Sequence, residues 1–170
     1  MTTQVDAGKS QTLTLDLDPG QYTVVDFDER GNMLTAETTI GARTAEATEP
    51  SAKGTIKLGP GMTITLPDDF DGTGVWKVEN GDPSQAHEAG VGKLVADKTM
   101  SDAVAWASTF DGPPPFETIG GLGAISPGHH GWVDLGPKRA PGNYLVYCPL
   151  PGDDGVAHLA MSMATPFSVK

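Results

Sequence analysis

Residues 141–169 read PGNYLVYCPLPGDDGVAHLAMSMATPFSV, and the fold is decided in this stretch. The Pro141-Gly142 turn feeds a strand, Asn143–Cys148, built of aromatic and aliphatic residues. A loop of Pro, Gly and Asp follows, then His158, then Met163, then a closing strand at Phe167–Val169. One thiol, one imidazole and one thioether therefore leave a single loop between two strands. Far upstream, VENGDPSQAHEAG presents His87 just after a strand and an Asn-Gly turn.

Outward from this stretch the chain reads as many short strands. Leu13, Leu15 and Leu17 alternate with Thr12, Thr14 and Asp16, which predicts a half-buried strand over Gln11–Leu17. Further strands are expected at Tyr22–Phe27, Met33–Ile40, Thr55–Leu58, Met62–Leu66, Val75–Glu79 and Trp132–Leu135, mostly divided by Gly, Pro, Asn and Asp. One helix is expected at Asp102–Ser108 with Ser101 as its N-cap. Asp111–Gly128, with three consecutive prolines and several glycines, is expected to be an irregular loop. His129-His130, in SPGHHGW, read as exposed turn residues rather than a second metal site.

Composition agrees with an all-β domain. Among 170 residues, Gly numbers 22 and Pro 14, while charged residues make up only 19%. Acidic residues outnumber basic ones 22 to 11, and no segment clusters Lys or Arg. A nucleic-acid footprint needs a basic patch, so that partner class is excluded. No apolar run reaches the ~20 residues that span a bilayer, so membrane insertion is not expected. Cys148 is the one cysteine, so no intramolecular disulfide can form.

Two imidazoles and a thiolate with a weak axial thioether form a ligand set that suits copper in electron transfer. His87, Cys148, His158 and Met163 supply it in that order, with Met161 as a competing thioether. At these residues the chain resembles the cupredoxins, the plastocyanin and azurin family. In that family a lone His precedes a C-terminal Cys–loop–His–loop–Met. The five-residue step from His158 to Met163 occurs in the family, and the ten-residue step from Cys148 to His158 matches its longer-loop members. The resemblance covers residues 53–170 and implies a Greek-key β-sandwich with a short helix in a long inter-strand insertion. It further implies a mononuclear type 1-like copper site, electron transfer to an unspecified redox protein rather than catalysis, and an extracellular or periplasmic location. Met1 would then be a cloning start, the export signal being absent from this chain.

Three features depart from the family. Ser162 stands where Gly often precedes the axial Met, Met161 competes, and the segment from His87 to Cys148 is long. Cys148 is flanked by Tyr147 and Pro149, so the histidines that wire a multicopper oxidase or a nitrite reductase are missing. A binuclear copper centre would need two cysteines. Two other readings remain open, a copper-free interaction module and a copper carrier that does not cycle. The four ligands are expected to tie the two sheets together, three from one loop and one from a distant strand.

Residues 1–45 read as a separate N-terminal β segment, loose over its first eleven residues, with residues 41–52 a small, polar linker. DLDPGQYTVVDF (16–27) weakly repeats RAPGNYLVYCPL (139–150), which sets Asp26 against Cys148. With no imidazole or thioether at the matching positions, this segment is expected to hold no metal and to add strands or cover a sheet edge.

Overall fold

The structure, a computed structural model, describes residues 12–15, 17–28, 30–42 and 48–170. The loose terminus and most of the linker centre fall outside these, as do Gln11 and Asp16 of the first expected strand. The chain divides into two compact units, Asp16–Glu49 and the remainder.

The smaller unit is an antiparallel hairpin of β2 (Gly20–Phe27) and β3 (Met33–Ile40), in register from Gly20↔Ile40 to Phe27↔Met33. The Asp28 carboxylate fixes its turn. Oδ1 accepts the Arg30 and Asn32 amides, both at 2.8 Å, as an Asx turn does.

The larger unit is a two-sheet sandwich. The first sheet runs β1-β9-β6-β4-β5, built from β1 (Leu13–Leu15), β4 (Thr55–Gly59), β5 (Thr63–Thr65), β6 (Val75–Asn80) and β9 (His130–Asp134). The second runs β11-β10-β7-β8, built from β7 (His87–Leu94), β8 (Phe116–Ile125), β10 (Gly142–Tyr147) and β11 (Ala164–Val169). Connections β6–β7, β8–β9 and β9–β10 each cross between sheets, so the expected all-β Greek-key sandwich is present. Strand β1 extends the first sheet at the β9 edge, Leu13 opposite Val133 and Leu15 opposite Gly131.

Alternation explains the core. In β6 the side chains of Trp76, Val78 and Asn80 are buried while their neighbours are half-buried. They meet Ile56 and Leu58 of β4, and Ala89, Val91, Leu122 and Val146 of the second sheet. Burying each such aliphatic side chain contributes about 1.5–3 kcal/mol.

The second sheet is covered on its other face as well. There α1 (Met100–Ala107) packs Ala103 and Ala107 onto Phe116, Leu145, Tyr147 and Leu159. Burial on both faces is why Tyr144–Cys148 reads as a continuous apolar run rather than an alternating one.

Three expectations need correction. The N-cap of α1 is Thr99, not Ser101. Thr99 Oγ1 accepts the Asp102 amide while the Asp102 carboxylate takes the Thr99 amide, a reciprocal capping box that moves the helix start back to Met100. Asp111–Gly128 is irregular only at its two ends, because β8 fills its centre. His130 opens strand β9 and is half-buried, its ring edge-on to Trp132 at 5.1 Å; only His129 is exposed.

Glycines hid both β7 and β8 from strand periodicity, yet packing requires them. A Cβ on Gly90 would stand 3.0 Å from the Tyr147 ring. At Gly121 φ is +133°, and a Cβ would overlap the Ala89 carbonyl oxygen across the strand pair. Gly121→Ala should therefore lower unfolding free energy by about 2–4 kcal/mol in a denaturant titration. A loss well below 1 kcal/mol would show that the β7–β8 pair is not held this tightly.

Candidate metal centre

Strand pairing places the first two residues. β10 runs antiparallel to β7 with Tyr147 opposite Gly90, so Cys148, just past the end of β10, comes beside the start of β7 at His87. Alternation turns His87, Ala89 and Val91 toward the inter-sheet core and Glu88 toward the other face. The Glu88 amide donates to Cys148 Sγ at 3.2 Å, and the Cys148 amide donates to the Met163 carbonyl at 3.1 Å.

The loop after Cys148 is folded on itself. The Gly152 amide donates to the Val156 carbonyl at 2.9 Å, and the His158 amide reaches back to the Leu150 carbonyl at 2.8 Å. Residues 157–162 then wind through short-range turns, and Met163 N–H closes on the His158 carbonyl at 2.9 Å. Ser162, at φ +69°, reverses the chain into β11. That left-handed geometry favours glycine, the residue often found there in the family that the sequence resembles.

His87, Cys148 and His158 converge. His87 Nδ1 lies 3.2 Å from His158 Nδ1, which lies 3.3 Å from Cys148 Sγ. One donor atom from each falls within 4.8 Å of the other two, and all three side chains are buried. Donors that each sit about 2.0–2.3 Å from one ion stand roughly 3–4 Å apart, so the spacing fits a shared ion.

Met163 is fully buried in the same core cluster as Cys148. Met161 is half-buried elsewhere. Its Cε and His158 Nε2 both lie 3.5 Å from where a Gly152 Cβ would stand, which puts this methyl near the ring edge facing away from Cys148. The four expected residues thus sit at one end of one sheet. The expectation that they tie the two sheets together is incorrect, because β7 is the direct neighbour of β10.

The inter-sheet tie comes from residues that sequence reading missed. Asn80 ends β6 in the first sheet, and its Nδ2 donates to the Ile125 carbonyl of β8 at 2.9 Å and the Gln85 carbonyl at 2.8 Å. Its Oδ1 accepts the Asp82 amide at 3.0 Å. Asp82 Oδ1 accepts the Ser84 and Gln85 amides, while Oδ2 meets His87 Nε2 at 3.3 Å. The sequence signal was Asp82-Pro83-Ser84, a side-chain-capped turn directly after the Asn80-Gly81 pair that was read.

Electrostatics sets the protonation states. The Ser84 and Gln85 amides hold the Asp82 carboxyl down at about 2, so it is ionised at neutral pH. This carboxylate faces His87 Nε2 at 3.3 Å, which orients the ring with Nδ1 toward His158. Burial lowers the His158 pKa, with His87 acting in the same direction, and keeps the ring neutral. Burial pushes the Cys148 thiol up to about 11, against the opposing pull of the Glu88 and Leu150 amides. A thiolate here needs a cation beside it. His158 Nε2 is buried without a hydrogen-bond partner among the described residues, a desolvation cost that a strong bond at Nδ1 would offset. The donor set therefore fits a thiophilic metal that also takes imidazole.

No protein-family model matches the chain, and no curated protein does. Among solved structures, the dithionite-reduced auracyanin of the photosynthetic bacterium Roseiflexus castenholzii aligns with a TM-score of 0.45 at 23% identity, over 71% of this chain and 99% of its own. Auracyanin B aligns with a TM-score of 0.41 at 17% identity, over 72% of this chain and 93% of its own.

The Asp82 geometry has a pH consequence. Its carboxyl pKa in the fold is depressed from 3.8 to about 2, so the stability it confers is complete above 3.8 and lost as pH falls through about 2. Asp82→Asn should remove that part of the acid sensitivity. In thermal melts of metal-free protein across this window, the variant should lose less stability than the parent; equal losses would mean that Asp82 is not held by these bonds.

Proposed function

We propose that this chain binds one copper ion through His87, Cys148, His158 and Met163 and acts as a one-electron carrier. The observation that supports this most strongly is the convergence of two imidazole nitrogens and a thiol in a buried pocket, with their orienting partners in place. Copper would supply the cupric/cuprous couple. Every other requirement falls to the protein.

Cys148 provides a soft thiolate that favours the cuprous state and a covalent path for the electron. The imidazoles of His87 and His158 would keep the cupric state accessible. Asp82 fixes the tautomer and ring plane of His87. The Glu88 amide takes one lone pair of Cys148 Sγ, which tunes the donor strength of the sulfur. Pairing of β7 with β10, and of Cys148 with Met163, holds the ligands through backbone bonds, so little movement accompanies a change in charge. Met163, buried in the same core cluster as Cys148, would supply the thioether, and Met161, half-buried outside that cluster, would not.

Carriage rather than catalysis is the reading that four protein ligands would support, since they would hold the ion without a substrate. The partner would be another redox protein, and neither nucleic acid nor a membrane-inserted state is part of this reading. Among the described residues no helix is long and apolar enough to cross a membrane. An extracellular or periplasmic location fits an exported carrier.

Addition of cupric ion should give one bound equivalent per chain and an intense thiolate-to-copper charge-transfer band. Cys148→Ser should abolish the band and leave the far-ultraviolet spectrum unchanged. A weak band would favour metal carriage without redox cycling, and a protein that stays colourless and metal-free would refute the proposal. Met163→Leu should shift the band and the reduction potential, whereas Met161→Leu should shift neither. The opposite pattern would exchange their roles.

A further inference from the structure

A second site lies on the face of the β7–β8–β10 sheet that turns away from the metal ligands. Here the sheet is stripped of side chains. Gly120, Gly121 and Gly123 of β8 line a cavity of about 230 Å³, partly open to solvent, between the sheet and the C-terminal end of α1. Tyr147 lies over Gly90 and is held by a 2.9 Å hydrogen bond between its hydroxyl and Thr118 Oγ1. Beyond it, Phe116, Trp106 and Phe110 form a chain of edge-on and tilted rings with centroids 4.7–5.7 Å apart. The result is a flat, side-chain-free floor with aromatic walls.

Two features of the lining are difficult to explain as packing alone. Phe110 is 55% exposed and sits at φ +53°, a left-handed conformation that is costly for a bulky residue. It is held there by its amide, which donates to the Trp106 carbonyl at 2.7 Å, and by the Trp106 ring. Strain of this kind persists where the surrounding structure imposes it and concentrates at binding sites. The second feature is Glu88. Its side chain lines the same cavity, and among the described residues no hydrogen bond or ion pair satisfies its half-buried carboxyl. An unpaired carboxyl in an aromatic cleft is complementary to a cation or a hydrogen-bond donor.

We propose that this cavity binds a small aromatic molecule carrying an amine, with the ring between the glycine floor and the Trp106, Phe110 and Tyr147 rings, and the amine at Glu88. Size fits one substituted ring. A dry cavity of about 150 Å³ accommodates benzene, and the extra space here admits a short side chain. The aromatic walls offer offset and edge-on contacts that favour a π-system over an aliphatic one of equal area. Their faces also attract the ammonium on its way to the carboxyl. None of His87, Cys148, His158 and Met163 lines the cavity, although Glu88, Tyr147, Pro149, Ala157 and Leu159 in its lining each adjoin one of them in sequence.

Titration of the full chain, without added metal, with phenethylamine tests the assignment, followed by amide NMR shifts. The expected result is saturable one-to-one binding, with shifts centred on Phe110, Gly120, Gly121 and Gly123. Phenylacetate, which presents the same ring with the opposite charge, should bind at least tenfold more weakly. Phe110→Ala removes an exposed side chain and should weaken phenethylamine at least tenfold while the rest of the amide spectrum is preserved. Glu88→Gln should erase the preference for phenethylamine over phenylacetate. Non-saturable shifts, shifts centred elsewhere, or equal binding of the two probes to the parent protein would each overturn the proposal.

Discussion

Burial of three electron-pair donors in the core of a β-sandwich is the constraint on which the rest depends. Two imidazoles and a thiol removed from water each incur a desolvation cost, and side by side they share too few protons to satisfy one another. The structure meets this cost in three ways. The Asp82 carboxylate faces His87 Nε2 as a hydrogen-bond acceptor, backbone amides of Glu88 and Leu150 donate to Cys148, and His158 is closed into a loop that hydrogen-bonds to itself. What remains is His87 Nδ1, His158 Nδ1 and the Cys148 thiol in mutual contact at 3.2 and 3.3 Å. On the proposed reading, a cation between these donors would take up the electron pairs that the protein leaves unmatched.

The supports of the cluster tie the sandwich together. Asn80 is a buried side chain whose two polar atoms make three hydrogen bonds, linking β6 to β8 and to the turn that carries Asp82. A half-satisfied version would cost more than an apolar replacement, so the network is retained as a unit. It connects the first sheet to His87 without drawing on Cys148, His158 or Met163. Covalent continuity then does the rest, because Cys148, His158 and Met163 leave one loop whose two ends pair as neighbouring strands.

Residues with strong local chemistry were legible in the sequence. The order Cys148, His158, Met163 within one loop, preceded by a lone His87, is read without knowing any strand pairing, and the structure brings the first two of these together with His87. The strand run Tyr144–Cys148 was equally plain. By contrast, β7 and β8 were hidden because their glycines, demanded by the Tyr147 ring and by a close backbone approach, carry no periodic signal. Pairing of β7 with β10 is a non-local choice, so the expectation that the ligands bridge two sheets had nothing local to correct it. Asn80 read as an ordinary turn residue because its role depends on Ile125, 45 residues along the chain, and Asp82 because its bonds to Ser84 and Gln85 are those of any side-chain-capped turn. The Thr99 cap was missed for a simpler reason, since Ser101 and Thr99 are both good caps and only the reciprocal bond with Asp102 separates them.

X-ray absorption at the copper edge of the copper-loaded protein tests the central claim most directly, because it reports the atoms bound to the ion. The expected first shell holds two imidazole nitrogens and one short copper–sulfur bond from Cys148, the latter lost in Cys148→Ser. A shell of nitrogen and oxygen alone, unchanged by that substitution, would contradict the account.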